Sequence, residues 1–216
     1  MVGDSLMNNI QDPTTDLGKD KPEQTRACYP DTQGFVERDG VRIFYEVYGA
    51  GDSTILLLPT WSIIHSRFWK MQIPYLARHF RVLTFDGRGN GRSGRPVGSE
   101  AYAESEFAAD ALAVMDATGT DGAALVSLSL GSQRALILAA NHPDRVTAAI
   151  FIGASLPIAS GFDDRMDAVQ RFDEVLPTNE GWAKFNRHYW LKEYRGFLEF
   201  FFSQCFTEPH STKQIE

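Results

Sequence analysis

The stretch Val126-Ser127-Leu128-Ser129-Leu130-Gly131 sets a hydroxyl between a buried-looking apolar run and the start of a helical one. A serine at the apex of such a strand-to-helix turn can act as a nucleophile. Small residues two before and two after it let the backbone turn sharply, and the helix N-terminus behind it favours the negative charge that develops on attack. The flanking small residues here are Ser127 and Gly131, where the usual pattern has Gly at both. The same six residues also suit a serine that only caps the helix, and by themselves they leave both readings open.

A second candidate lies one helix and one strand upstream, in Asp86-Gly87-Arg88-Gly89-Asn90-Gly91-Arg92-Ser93. Within it, Gly89 to Gly94 fits the G-x-G-x-x-G pattern of dinucleotide binding. That pattern must open a helix whose N-terminus receives the pyrophosphate, whereas Arg95-Pro96-Val97-Gly98 follows and the helical period starts later. Context therefore argues against a dinucleotide.

The elements that must position these residues follow a regular order. Phe35 to Arg38 and Val41 to Glu46 flank Asp39-Gly40, a strong hairpin signal. Thr54 to Leu58 is continuously apolar up to Pro59, as expected of a strand buried on both faces. Trp69 to Phe80 has a near-helical apolar period, Val82 to Phe85 reads as a strand, and Tyr102 to Ala117 reads as an amphipathic helix that stops at Gly119. Ala123 to Val126 is again a strand, Ser132 to His142 a helix ended by Pro143, and Thr147 to Ile152 a strand. This alternation predicts an α/β fold with a mostly parallel sheet, right-handed crossovers and an antiparallel N-terminal hairpin. Beyond Gly161, strand signals give way to aromatic helical segments, chiefly Phe185 to Phe202.

Strand, complete D-x-R-G-x-G-x-S loop, helix, strand and nucleophile elbow succeed one another here as in the α/β-hydrolase family, which the chain resembles over roughly residues 34–156. The resemblance implies hydrolysis of an ester or related acyl bond through attack by Ser129. It implies an oxyanion hole formed by the backbone N–H groups of Leu130 and, after the third strand, Trp61. Family members often carry His-Gly before that second donor, whereas this chain has Pro59-Thr60, and Thr60 lacks the freedom of Gly to aim the N–H. Asp86 and Arg88 become structural hydrogen-bonding groups.

The family supplies its acid and then its histidine after the nucleophile, the histidine near the C-terminus. His142 sits at a helix end and suits a dipole partner, His188 and His210 fall in the expected cap or tail, and Asp163 and Asp164 suit solubility as well as catalysis. His65 is open between pocket mouth and solvated loop. The aromatic group around Trp182, Phe185, Trp190 and Phe197 reads more readily as half of a core than as a pocket cover. Three parts are thus expected: a flexible polar leader over 1–33, the N-terminal part of the hydrolase core over 34–158, and a partial helical cap over 159–216 with the final core strands missing. Little turnover is expected of the chain alone, with a partner chain or C-terminal extension completing the fold. The alternative is a non-catalytic module that binds or senses a small molecule.

Composition sets the outer bounds. The 216 residues are 43% hydrophobic and 23% charged, ordinary for a globular chain. A net charge of −7 argues against a nucleic-acid partner. Cys28 and Cys205 form neither a disulfide framework nor a metal-ligand spacing, and no segment is long and apolar enough to span a membrane. A cytoplasmic location, no metal, no cofactor and a small-molecule ligand with an apolar part are the matching expectations.

Overall fold

The computed structural model describes residues 26–156 and 163–208. They fall into two compact units, 26–156 and 163–208. The first unit is built on a six-stranded sheet. Strands β1 (Thr32–Arg38) and β2 (Val41–Tyr48) form the expected hairpin, with Arg38 opposite Val41. Asp39 and Gly40 turn it with φ values of 51° and 75°, the pair of positive angles that matches the twist of the flanking strands. The pairing starts at Thr32, and the Asp31 N–H still donates to the Val47 carbonyl. The end of the stretch expected to be a free leader, residues 31–33, is therefore held to the sheet.

Strands β3 (Thr54–Leu57), β4 (Arg81–Phe85), β5 (Ala123–Leu128) and β6 (Val146–Ile152) complete the sheet in the order β1-β2-β4-β3-β5-β6. β2 runs antiparallel to β4, and the pairs β3–β4, β3–β5 and β5–β6 are parallel. After β3 the chain crosses to β4 on one side, then returns to place β5 on the other. The loops following β3 and β5 therefore diverge from adjacent strand ends, the crevice where open α/β sheets carry their ligands.

Alternation along β3 shows why the sheet is buried on both sides. Leu56 and Leu58 join one apolar cluster, Ile55 and Leu57 the other, and Leu56, Leu57 and Leu58 have no exposed surface. Each such leucine contributes about 1.5–3 kcal/mol by leaving water. Helices α2 (Glu104–Ala117) and α3 (Gly131–Asn141) supply the first cluster with Ala108, Ala111, Val114, Met115, Ala135 and Leu138. The second cluster is closed by Trp69 and Ile73. The single helix expected over Trp69 to Phe80 is instead a 3-10 turn, Ser66–Met71, followed by the one-turn helix α1, Ile73–Leu76. Pro74 has no N–H to continue a helix begun upstream, and the Trp69 indole is drawn away to donate to the Leu58 carbonyl at 3.1 Å.

Among the described residues β6 has a strand on one side only. Ile150, Phe151 and Ile152 are 55%, 41% and 43% exposed, so this strand is not buried as its apolar sequence would suggest.

The second unit contains α4 (Asp163–Gln170) and α5 (Arg187–Cys205), whose helical angles break at Glu193. Asn186 caps α5 by accepting from the His188 and Tyr189 N–H groups, and it donates to the carbonyls of Arg171 and Glu174. Around the fully buried Phe197 pack the rings of Phe185, Trp190, Tyr194 and Phe201. The aromatic residues thus pack on one another within this unit. No described helix is long and apolar enough to cross a membrane.

Candidate active site

Ser129 follows β5 directly and has φ of 52°, one of two non-glycine residues with positive φ among those described. A β-carbon in the left-handed region costs about 1–3 kcal/mol, so the surrounding bonds must enforce the turn. They do so from both ends of the residue. The Ser129 N–H donates to the Ile152 carbonyl at 3.0 Å, and its carbonyl accepts from the N–H groups of Ser132 and Ser155. Leu130, not Ser129, is the residue that caps α3, and the cap makes no side-chain hydrogen bond. The helix-cap alternative is therefore not what the geometry supports. Replacing Ser129 with Gly is expected to stabilise the fold by about 1 kcal/mol, checked by urea denaturation, while removing the hydroxyl.

The two flanking small residues are required for different reasons. Ser127 is fully buried, and its hydroxyl donates to the Ile150 carbonyl at 3.0 Å, tying the elbow to β6 where the usual Gly would make no such bond. At Gly131 a β-carbon would lie 2.8 Å from the Pro59 carbonyl oxygen. This close approach brings the loop after β3 against the elbow. Gly131→Ala is expected to push Pro59 away and destabilise the fold by about 1–3 kcal/mol, read from the thermal midpoint.

Trp61 and Leu130 line one recess of about 350 Å³ together with Tyr102, Phe107, Glu104 and Arg134. Within 129–131 the Leu130 N–H donates to no described acceptor. A larger cavity, about 400 Å³, lies elsewhere, between Arg26, Tyr48, Phe68 and Ile73, and contains neither Ser129 nor its neighbours. It owes its polarity to buried Glu46, which accepts from Arg26 and the Tyr48 hydroxyl. Burial, and then the Glu46 carboxylate, push the Tyr48 phenol well above its ordinary range. His65 borders that cavity and caps the 3-10 turn, its Nδ1 accepting from the Arg67 N–H.

The Asp86–Ser93 loop braces the site. One Asp86 oxygen accepts from the Ser66 N–H and hydroxyl, the other from the Arg92 N–H. Ser93 donates to the Asp86 carbonyl and accepts from the Phe44 N–H. Asn90 reaches the Ser62 carbonyl, next to Trp61. Arg88 forks onto Asp110 of α2, both bonds 2.7 Å. The loop glycines face protein: a β-carbon at Gly91 would lie 2.1 Å from the Asp86 carboxylate, and one at Gly89 would meet Tyr102.

The remaining candidates belong to other elements. His142 ends α3 as its C-cap residue, with its N–H bonded to Leu138. His188 belongs to the second unit, where its Nε2 lies 3.1 Å from the Asp173 carbonyl. Asp163 and Asp164 open α4, and His210 lies outside the described residues. Among the described residues no histidine hydrogen-bonds Ser129, and no group of His, Cys, Asp and Glu could hold a metal.

Arg134 and Glu104 were not legible as site residues. Arg134 is 1% exposed, lies on the core face of α3 beside Ala135 and Leu138, and donates to Glu104 at 2.7 Å. A cation on the apolar face of an otherwise aliphatic helix was the available signal.

Comparison with known proteins agrees with the fold. A family model described as alpha/beta hydrolase fold matches residues 53–198. A RutD protein of Caulobacter segnis, provisionally named a carbamate hydrolase, is 35% identical over 130 residues, covering 57% of this chain and 49% of the relative. A 2-hydroxymuconate semialdehyde hydrolase of a Pseudomonas species is 37% identical over 98 residues, 44% of this chain and 34% of its own. Among solved structures, Est816, described as an N-acyl homoserine lactone degrading enzyme, matches with a TM-score of 0.56 at 30% identity. That match covers 77% of this chain and 55% of Est816. The chain spans about half the length of the curated relatives it matches. By its sheet and the residues that the family model matches, the chain belongs to the α/β-hydrolase fold family.

Proposed function

We propose that this chain carries the nucleophile and oxyanion hole of a serine hydrolase acting on an ester, lactone or related acyl bond. The observation that carries the reading is the enforced positive φ of Ser129, whose chain neighbour Leu130 lines a recess together with Trp61. An acyl group seated there would meet apolar walls from Trp61, Tyr102, Phe107 and Leu130. Ser129 Oγ attacks the carbonyl carbon, and the N–H groups of Leu130 and Trp61 receive the oxygen as its charge grows. The bond from the carbonyl carbon to the alcohol or lactone oxygen then breaks, that oxygen leaving with the proton taken from Ser129, and water hydrolyses the resulting acyl-serine to the free acid and the restored hydroxyl. Relatives named as a carbamate hydrolase and a semialdehyde hydrolase support hydrolysis as the class, a solved structure described as lactone degrading is compatible with it, and the acyl group is left unspecified.

Attack needs a base for the Ser129 proton, and no described histidine is bonded to that hydroxyl. We assign the base and its carboxylate partner to chain beyond Glu216 or to a partner polypeptide, and expect slow reaction of the 216 residues alone. The test is labelling with a fluorophosphonate, located by peptide mass spectrometry. Slow labelling of the short chain with rapid labelling of a C-terminally extended form, both at Ser129, is expected. Rapid labelling of the short chain would sink the assignment of the base and redirect it to His188 or His210. No labelling of either folded form would favour the second reading, a binding module, which the lack of a histidine partner for the Ser129 hydroxyl among the described residues also suits.

A further inference from the structure

Arg134 holds the one loop that the nucleophile cannot hold for itself. Its Nη1 donates to two successive carbonyls, Pro59 at 2.8 Å and Thr60 at 2.7 Å. Glu104 accepts from its Nε at 2.7 Å, and the guanidinium carbon lies 3.8 Å over the Phe107 ring. The side chain is thus fixed by an ion pair on one edge, a ring on one face and the loop carbonyls on the other edge. A planar guanidinium suits this better than any other side chain, because its donors diverge in one plane.

The consequence for the neighbouring N–H comes from peptide geometry. The Thr60 carbonyl and the Trp61 N–H belong to one planar trans unit, in which C=O and N–H point in opposite directions. With the Thr60 oxygen held on Arg134, the Trp61 N–H must point away from Arg134. The preceding carbonyl, on Pro59, is held on the same nitrogen, so turning either peptide of this loop breaks its bond to Arg134. Thr60 lacks the free rotation of glycine, and the arginine supplies from outside the orientation that glycine would allow from within.

We propose that Arg134 is a positioning residue for the oxyanion hole, setting the direction of the Trp61 N–H through its grip on Pro59 and Thr60. This rests on the assignment of Ser129 as nucleophile. It also makes a claim independent of reactivity, that the Trp61 peptide is oriented by Arg134.

The test compares the 216-residue chain with Arg134→Met, which keeps the stem over Phe107 but has no donor, and Arg134→Lys, which keeps one donor group. Each is first confirmed folded by its amide spectrum, and the lysine variant serves if the methionine variant does not fold. Three readouts follow: the ¹⁵N–¹H resonance of the Trp61 amide, the ³¹P shift of the phosphonyl adduct on Ser129, and the labelling rate. The expected result is a displaced Trp61 amide, a changed ³¹P shift and labelling slowed about 10²-fold in Arg134→Met, with Arg134→Lys between it and the parent. An unmoved Trp61 amide overturns the proposal whether or not Ser129 reacts. A moved amide with an unchanged ³¹P shift overturns the oxyanion role. Failure of the parent chain and its extended form to label sinks the serine reading and with it the oxyanion role, while the amide comparison still decides the anchoring.

Discussion

Ser129→Ala is expected to abolish fluorophosphonate labelling and, in a form that turns over, to lower kcat about 10⁶-fold, the loss seen when a serine nucleophile is removed from an intact triad. The size follows from what Ser129 alone supplies: the oxygen that forms the covalent bond, in a position the elbow has already strained to present. Binding in the recess beside Trp61 and Leu130 should survive, since neither residue is altered. Substrate affinity measured on the alanine variant should therefore stay within a few-fold of the parent while turnover disappears. Retained turnover would show that another group attacks, and the elbow would then be a structural turn. The stability gained in Ser129→Gly and the turnover lost in Ser129→Ala would together identify strain kept at a functional position.

Asp110→Asn is expected to destabilise the first unit by about 3–5 kcal/mol, because it leaves two guanidinium groups facing a neutral amide in the interior. Asp110 has no exposed surface, Arg88 is 2% exposed, and Arg38 reaches the same carboxylate at 2.8 Å. The three residues come from β1, the loop after β4 and α2, so the pair network pins the loop that carries Asn90 and Asp86. Urea denaturation checks this: the midpoint should fall with little change in slope. An unchanged midpoint would mean that the arginines find other acceptors. The neighbouring Glu106 gives the pH sign. Its hydrogen bond to Arg38, opposed in part by burial, holds its carboxyl below the ordinary range. Its contribution is present above that range and is lost as pH falls through the lowered value. Being about one-third exposed, it adds only a modest acid limb.

The order of elements and the position of Ser129 were readable because they rest on local rules. An Asp-Gly turn between alternating residues makes a hairpin, and an apolar run ending at Pro59 makes a buried strand. The misread segment, Trp69 to Phe80, had the apolar period of a helix, but Pro74 and the pull of Trp69 toward Leu58 divided it. Ile150, Phe151 and Ile152 stay 55%, 41% and 43% exposed although they are apolar, since burial depends on what lies beside a strand and not on its own residues.

By itself the sequence determined the α/β alternation and the hairpin, which arise from local periods and turns, and it marked the turn at Ser129 and the Asp86–Ser93 loop by residue type, although distant partners such as Ile152, Phe44 and Ser66 hold both in place. Only the tertiary structure decided that Arg134 grips carbonyls 75 and 74 positions away, that Asp110 joins two arginines, and that His65 caps a turn. Long-range hydrogen bonds to backbone carbonyls leave no spacing in a sequence, because any residue can supply the acceptor. What selects the acceptor is the sheet order, which brings the ends of β3 and β5 together.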